Sequence, residues 1–150
     1  MVGKVMVPLD GSELAERVLP WVLEHAVAAD GQIALVRVVP PPERMYAAIG
    51  GGPVLADLPD TATLEREAAD YLNGLSTRFG GGLKVTKMVR VGDAAREIAA
   101  AADAWGADAI AMSTHGWTGV GRLVMGSVAD ALVRHARKPV LVFGPGWLKG

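Results

Sequence analysis

The sequence predicts one α/β domain over residues 1–150, a parallel sheet covered by helices on both faces. Three observations lead there. Strand-length runs rich in β-branched residues occur five times along the chain. Segments with apolar residues at three- and four-residue spacing stand between them, and Gly, Pro or Asp marks the junctions. Such alternation requires right-handed crossovers, which bury the sheet from both sides.

Residues 4–9, Lys-Val-Met-Val-Pro-Leu, read as a buried first strand ending in the turn Asp10-Gly11-Ser12. A helix is expected from Ser12, its buried stripe running through Leu14, Val18, Leu19, Val22, Leu23 and Ala26 to a stop at Asp30-Gly31. Pro20 falls inside it and predicts a kink rather than a break. Residues 33–39 form the second strand, closed by Pro40-Pro41-Pro42. The following stretch to about residue 60 has weak periodicity and reads as a long flap loop. Asp60-Thr61 starts a helix with Leu64, Ala68, Leu72, Leu75 and Phe79 on one face, and the triple glycine 80–82 ends it. Residues 83–91 are the third strand. Gly92-Asp93 turns into an alanine-rich helix that Gly106 terminates. Residues 109–114 are the fourth strand, a final helix starts at Gly126-Ser127, and residues 140–143 are the last strand.

Composition narrows the function. The chain has 150 residues, 51% of them hydrophobic, and a domain of this size buries about 68–70% of its unfolded surface. Fifteen basic against sixteen acidic residues leave no cationic excess for phosphate-backbone binding, so no nucleic-acid partner is expected. The absence of cysteine removes disulfides, thiolate zinc sites and cysteine nucleophiles, and fits a reducing compartment. His25, His115 and His135 lack metal-ligand spacing. The first apolar run is too short for a signal peptide or a membrane span. A cytoplasmic protein without a membrane partner is expected.

In an open parallel sheet, ligands bind beyond the carboxyl ends of the strands where the winding reverses. The segments that qualify are Asp10, the stretch after Val38, and the glycine-containing segment from Ser113 to Ser127. Glycines there let backbone amides approach an anion, and the helix that follows aims unsatisfied N–H groups and its positive dipole end forward. This reads as a phosphate cradle. A plainer reading is that Gly116, Gly119 and Gly121 permit turns while Ser127 caps the helix through a Ser127-x-x-Asp130 box. A P-loop is excluded because Ser127 stands where its lysine belongs, and a dinucleotide fingerprint because Val124 occupies its third glycine position. Asp10 can accept hydrogen bonds from a ribose or an adenine edge, or simply form the turn. His115 has no partner at catalytic spacing and suits hydrogen bonding or loop shaping. Arg122 reads equally as a phosphate contact or as a solvated loop arginine. Trp117, Trp147 and Met45 read as loop packing, with Met45 and Tyr46 as candidate covers for a base.

These residues resemble a known family. Ser113-x-x-Gly116, nine residues, then Gly126-Ser127 is similar to the G-x-x-G-x9-G-[S/T] signature of the ATP-binding branch of the universal stress proteins. Val7-Pro8-Leu9-Asp10-Gly11-Ser12, Gly92-Asp93-Ala94 and Lys138-Pro139-Val140-Leu141-Val142 resemble its first strand, its third-helix turn and its last strand. The resemblance implies a five-stranded Rossmann-like sheet in order 3-2-1-4-5. It implies Pro8, Asp10 and Val38 around the nucleoside, with Ser113, His115, Gly116, Gly119, Gly126, Ser127 and Val128 around the phosphates of ATP, with Mg²⁺ as companion ion. Regulation with slow or no hydrolysis, an unidentified protein partner and a homodimer through the last strand are also implied. Ser113 departs from the signature, whose first residue is glycine. That departure motivates an alternative, a dimeric interaction module that does not bind nucleotide. A phospho-accepting receiver domain is the third reading, but Asp10 lacks the second acid and Lys138 precedes the last strand.

Overall fold

The structure, a computed structural model, describes residues 2–48, 50, 58–79, 81–114 and 125–148. Five parallel strands, β1 (Val2–Pro8), β2 (Val27–Val39), β3 (Lys84–Val91), β4 (Ala109–Ser113) and β5 (Val140–Phe143), form one sheet in the order β3-β2-β1-β4-β5. The chain winds outward from β1 to β3, then returns to the other side of β1 for β4 and β5. The winding therefore reverses between β1 and β4, as expected.

Strand alternation assigns each face. Val5, Val7, Leu9, Ile33 and Leu35 point one way, into a core closed by the first helical segment and by α4 (Thr61–Phe79) through Leu72 and Leu75. Met6, Ala34, Val36 and Ile110 point the other way, against α5 (Ala94–Trp105) and α6 (Ser127–His135) through Ile98, Ala101, Ala102 and Leu132. Asp60 and Asp93 cap α4 and α5, accepting from the amides of Thr63 at 2.7 Å and Arg96 at 3.2 Å, and Gly106 ends α5 at φ 73°. The Arg96 amide and the Arg44 guanidinium hold the Asp93 carboxyl below the usual carboxylate range.

Several expectations need correcting. The first helical segment ends at Ala26, not at Asp30-Gly31: α1 (Glu13–Glu16) and α2 (Val18–Trp21) are followed by a π-turn, Val22–Ala26, closed by the Val27 amide on the Val22 carbonyl. Pro20 has no N–H for the Glu16 carbonyl, and the helix is interrupted at Arg17, whose backbone nevertheless stays helical at φ −60° and ψ −21°. The backbone thus stays helical on both sides of Arg17 and past Pro20, and the π-turn follows directly. Asp30-Gly31 lies inside β2, at an irregularity where β1 advances from Val2 to Lys4 while β2 advances from Val27 to Gln32. A Cβ on Gly31 would meet the Gly3 carbonyl at 2.9 Å, so glycine is required there by a close backbone approach, not by a helix end.

The loop expected over residues 40–60 contains a helix, α3 (Pro42–Ala48), whose first residue is a proline pre-set for that position. The Arg44 guanidinium on α3 bonds the Asp93 carboxylate at 2.9 Å, which ties α3 to the start of α5. The remainder of the expected flap, residues 49 and 51–57, lies outside the described residues. Strand β4 stops at Ser113, one residue earlier than expected. A short helix, α7 (Pro145–Leu148), follows β5 and buries Leu148; Trp147 on it packs against the Phe143 ring at 4.7 Å. Among the described residues, no helix is long and apolar enough to cross a membrane.

Candidate functional site

A cavity of about 280 Å³ opens beyond the carboxyl ends of β1, β2 and β4, on the face covered by α5 and α6. The topological reversal creates it: helices leaving β1 and β4 pass to opposite faces and leave a crevice between them. Seven residues expected at the site stand on its wall, Pro8, Asp10, Val38, Ser113, Gly126, Ser127 and Val128. His115, Gly116 and Gly119 lie outside the described residues, as do Trp117 and Arg122. Met45 and Tyr46 are not on this wall, and Tyr46 is 45% exposed.

Each side of the cavity has a local cause. Asp10 follows β1, and its Oδ1 accepts from the Ser12 amide at 2.9 Å and from the Ser12 hydroxyl at 2.6 Å. The Ser12 Oγ accepts in turn from the Ala15 amide at 3.2 Å, capping α1. Asp10 is thus a turn former, and the same bonds fix its carboxylate at the cavity edge. Opposite it, the Thr114 amide donates to the Phe143 carbonyl at 2.9 Å and the Thr114 carbonyl accepts from the Gly126 amide at 2.8 Å. This bridge brings the start of α6 back beside the end of β4.

Gly126, not Ser127, is the N-cap of α6, at φ −60° and ψ 154°, and as a glycine it brings no side-chain oxygen to the cap. The expected Ser127-x-x-Asp130 capping box is therefore absent: Ser127 is already the first helical residue, and the Asp130 amide donates to the Gly126 carbonyl at 2.9 Å. The opening amides of α6 consequently have no side-chain oxygen of their own cap. Ser113 is accommodated as an ordinary strand residue, paired with Phe143 and 6% exposed.

Sequence reasoning did not single out Thr114, Met112, Ala94 or Ile98, all on the cavity wall. The Thr114 Oγ1 is buried and finds no hydrogen-bond partner among the described residues, a state that costs about 1–3 kcal/mol unless something fills it. Met112, Val36 and Ile98 form an apolar floor that suits a flat ring. The arrangement joins an acid acceptor, an apolar slot, a hydroxyl needing a partner and a glycine-capped helix start. Among the described residues, no group of three or more His, Asp or Glu is placed to hold a metal ion.

The family model "Universal stress protein family" matches residues 1–144. The universal stress protein MJ0577 of Methanocaldococcus jannaschii is 27% identical over 158 residues, covering 95% of this chain and 94% of its own. Its solved structure superposes with a TM-score of 0.80 over 96% of both chains. The universal stress protein from Archaeoglobus fulgidus, solved in complex with dAMP, is 21% identical with a TM-score of 0.66, covering 95% of this chain and 97% of that one. A universal stress protein family protein from Arabidopsis thaliana, solved with AMP bound, is 18% identical with a TM-score of 0.63 over 95% and 92%. The motifs, the strand order and the matched length agree: this chain belongs to the universal stress protein family.

Proposed function

We propose that the chain is an ATP-binding universal stress protein, a nucleotide-responsive regulator with slow or no hydrolysis. The observation that carries this reading is the convergence of Asp10, Val38, Thr114 and the glycine-capped start of α6 on one cavity. Pro8, Asp10 and Val38 would hold the nucleoside, with the Asp10 carboxylate accepting from ribose or adenine. Ser113, His115, Gly116, Gly119, Gly126, Ser127 and Val128 would hold the phosphates, with helix amides as donors. The buried Thr114 hydroxyl gains its missing partner when a polar ligand arrives. Mg²⁺ would be carried on the phosphates, since the described residues offer no carboxylate cluster for it. The dAMP and AMP complexes of the two structural neighbours support an adenine nucleotide as the ligand class. The cysteine-free composition supports a cytoplasmic setting, and binding that changes what a protein partner meets is the proposed mode of action.

Isothermal calorimetry of the purified protein with ATP, ADP and AMP tests the reading. Saturable heat with a Kd of about 1 mM or tighter is expected. Silence with all three would overturn it and favour the dimeric module without nucleotide, for which Ser113 in the signature's glycine position is the motive.

Homodimerisation through β5 is part of the same proposal. This strand is a sheet edge with Leu141 40% exposed, an unpaired apolar ladder that a second copy can cover. Light scattering at micromolar concentration should return a dimer mass, and a monomer would refute the interface.

A further inference from the structure

A second cavity, also about 280 Å³, lies on the other side of β2, against α4. Arg37 sets its character. Along β2 the side chains of Ile33, Leu35 and Arg37 share the α4 face, so a cation follows two buried apolar residues. Gly11 makes room for it: at φ 89° this glycine turns the chain over the guanidinium, and a Cβ there would come within 2.5 Å of Arg37 Nη1. The guanidinium carbon stands 5.3 Å from the centre of the Tyr71 ring. Arg37 Nη1 is buried and has no hydrogen-bond partner among the described residues. A guanidinium nitrogen in that state calls for an anionic oxygen.

Glu16, the acid bonded to the Tyr71 ring that the guanidinium faces, does not supply one. Glu16 is engaged by the Tyr71 hydroxyl, which donates to its Oε1 at 2.9 Å, and by Arg78 on its other oxygen. Burial and the Glu16 carboxylate both push the Tyr71 phenol above its usual range, so this hydroxyl remains a neutral donor to Glu16. The rest of the wall is mainly apolar, with Leu64, Ala68, Val39 and Pro40, and Glu67 at its exposed rim. A dianion would meet repulsion from Glu67, from Glu16 and from Asp10, whose carboxylate acts on Tyr71. A monoanion with an apolar body meets one cation and a hydrophobic wall.

We propose that the cavity between β2 and α4 is a second ligand site, for a small organic acid whose carboxylate pairs with Arg37 and whose apolar part packs on Leu64, Ala68 and the Tyr71 ring. It is separate from the cavity proposed to take nucleotide, and Val38 and the Asp10-Gly11 turn lie between the two. The test is titration of the ¹⁵N-labelled full chain with benzoate, butyrate and inorganic phosphate, followed through the amides of Gly11, Arg37 and Ala68. Benzoate should give saturable shifts at these amides with a Kd of about 1 mM or tighter. In Arg37→Met, which keeps an apolar stem without the charge, affinity should fall at least about tenfold while thermal stability is unchanged or higher, because a buried unpaired donor is gone. AMP heats in that variant should equal those of the wild type, so failure here and failure of the nucleotide reading separate cleanly. Absence of saturable shifts with both carboxylates, equal benzoate affinity in Arg37→Met, or binding of phosphate alone would each overturn the proposal.

Discussion

Replacing Gly126 by valine should weaken ATP and AMP binding at least about 100-fold, some 2.7 kcal/mol, while leaving the fold intact. Both halves follow from the geometry of the α6 start. The φ and ψ of Gly126, −60° and 154°, lie in a region open to any L-residue, so the backbone tolerates a side chain there. The amide that donates to Thr114 and the carbonyl that accepts from Asp130 are retained in valine. What changes is the space in front of the helix. On the proposed reading, an isopropyl group on the N-cap would obstruct the approach of a phosphate oxygen to the opening amides, on which anion binding at a helix start depends. Calorimetry with ATP and AMP, beside circular dichroism to verify the fold, decides the matter. Wild-type affinity in a folded Gly126→Val protein would mean that the phosphates do not sit at α6. Asp10→Asn provides the nucleoside-side counterpart: it keeps the oxygen that accepts from Ser12 but loses the charge.

The alternation of β-rich runs and helical stripes makes the parallel α/β class legible, because each period reports which face is buried, whereas the strand order comes from the family resemblance. Boundaries were less legible wherever one residue type serves two purposes. Asp30-Gly31 has the composition of a helix stop, yet Gly31 is needed where β2 bulges against Gly3. Pro42 was read as the end of a strand and is also the first residue of α3. Serine's preference for the cap position makes Ser127 one candidate cap, but the Thr114 carbonyl captures the Gly126 amide and the cap lies one residue earlier. At the site, the residues with unusual chemistry for their position, Asp10 and Gly126, were visible. Ala94, Ile98 and Met112 were not, because a cavity wall and a core have the same apolar periodicity. Thr114 was hidden for a different reason: that its hydroxyl lacks a partner is a fact of three dimensions. Arg37 does carry a sequence signal, a lone cation within a run that otherwise reads as a buried strand.

The largest effect on stability is expected from Leu72→Ala, at about 3–4 kcal/mol. Leu72 is fully buried in the middle of α4, in the core formed by Val7, Ile33, Leu35 and the first helical segment. Truncating it loses the transfer free energy of three carbons and leaves a void that a helix anchored by Ala68 and Leu75 on either side cannot collapse. Against a typical total of 5–15 kcal/mol, such a loss is a large fraction of the whole. Urea denaturation should show a lower midpoint at unchanged slope, since the same surface is exposed on unfolding. The damage is directional as well. Leu72 belongs to the α4 face, whereas the cavity proposed to take nucleotide is walled by α5 and α6 on the other. Below its lowered transition, the variant should therefore keep its affinity for AMP, while benzoate binding beside Tyr71 weakens. A cost under about 1 kcal/mol would show that α4 repacks freely around the lost side chain.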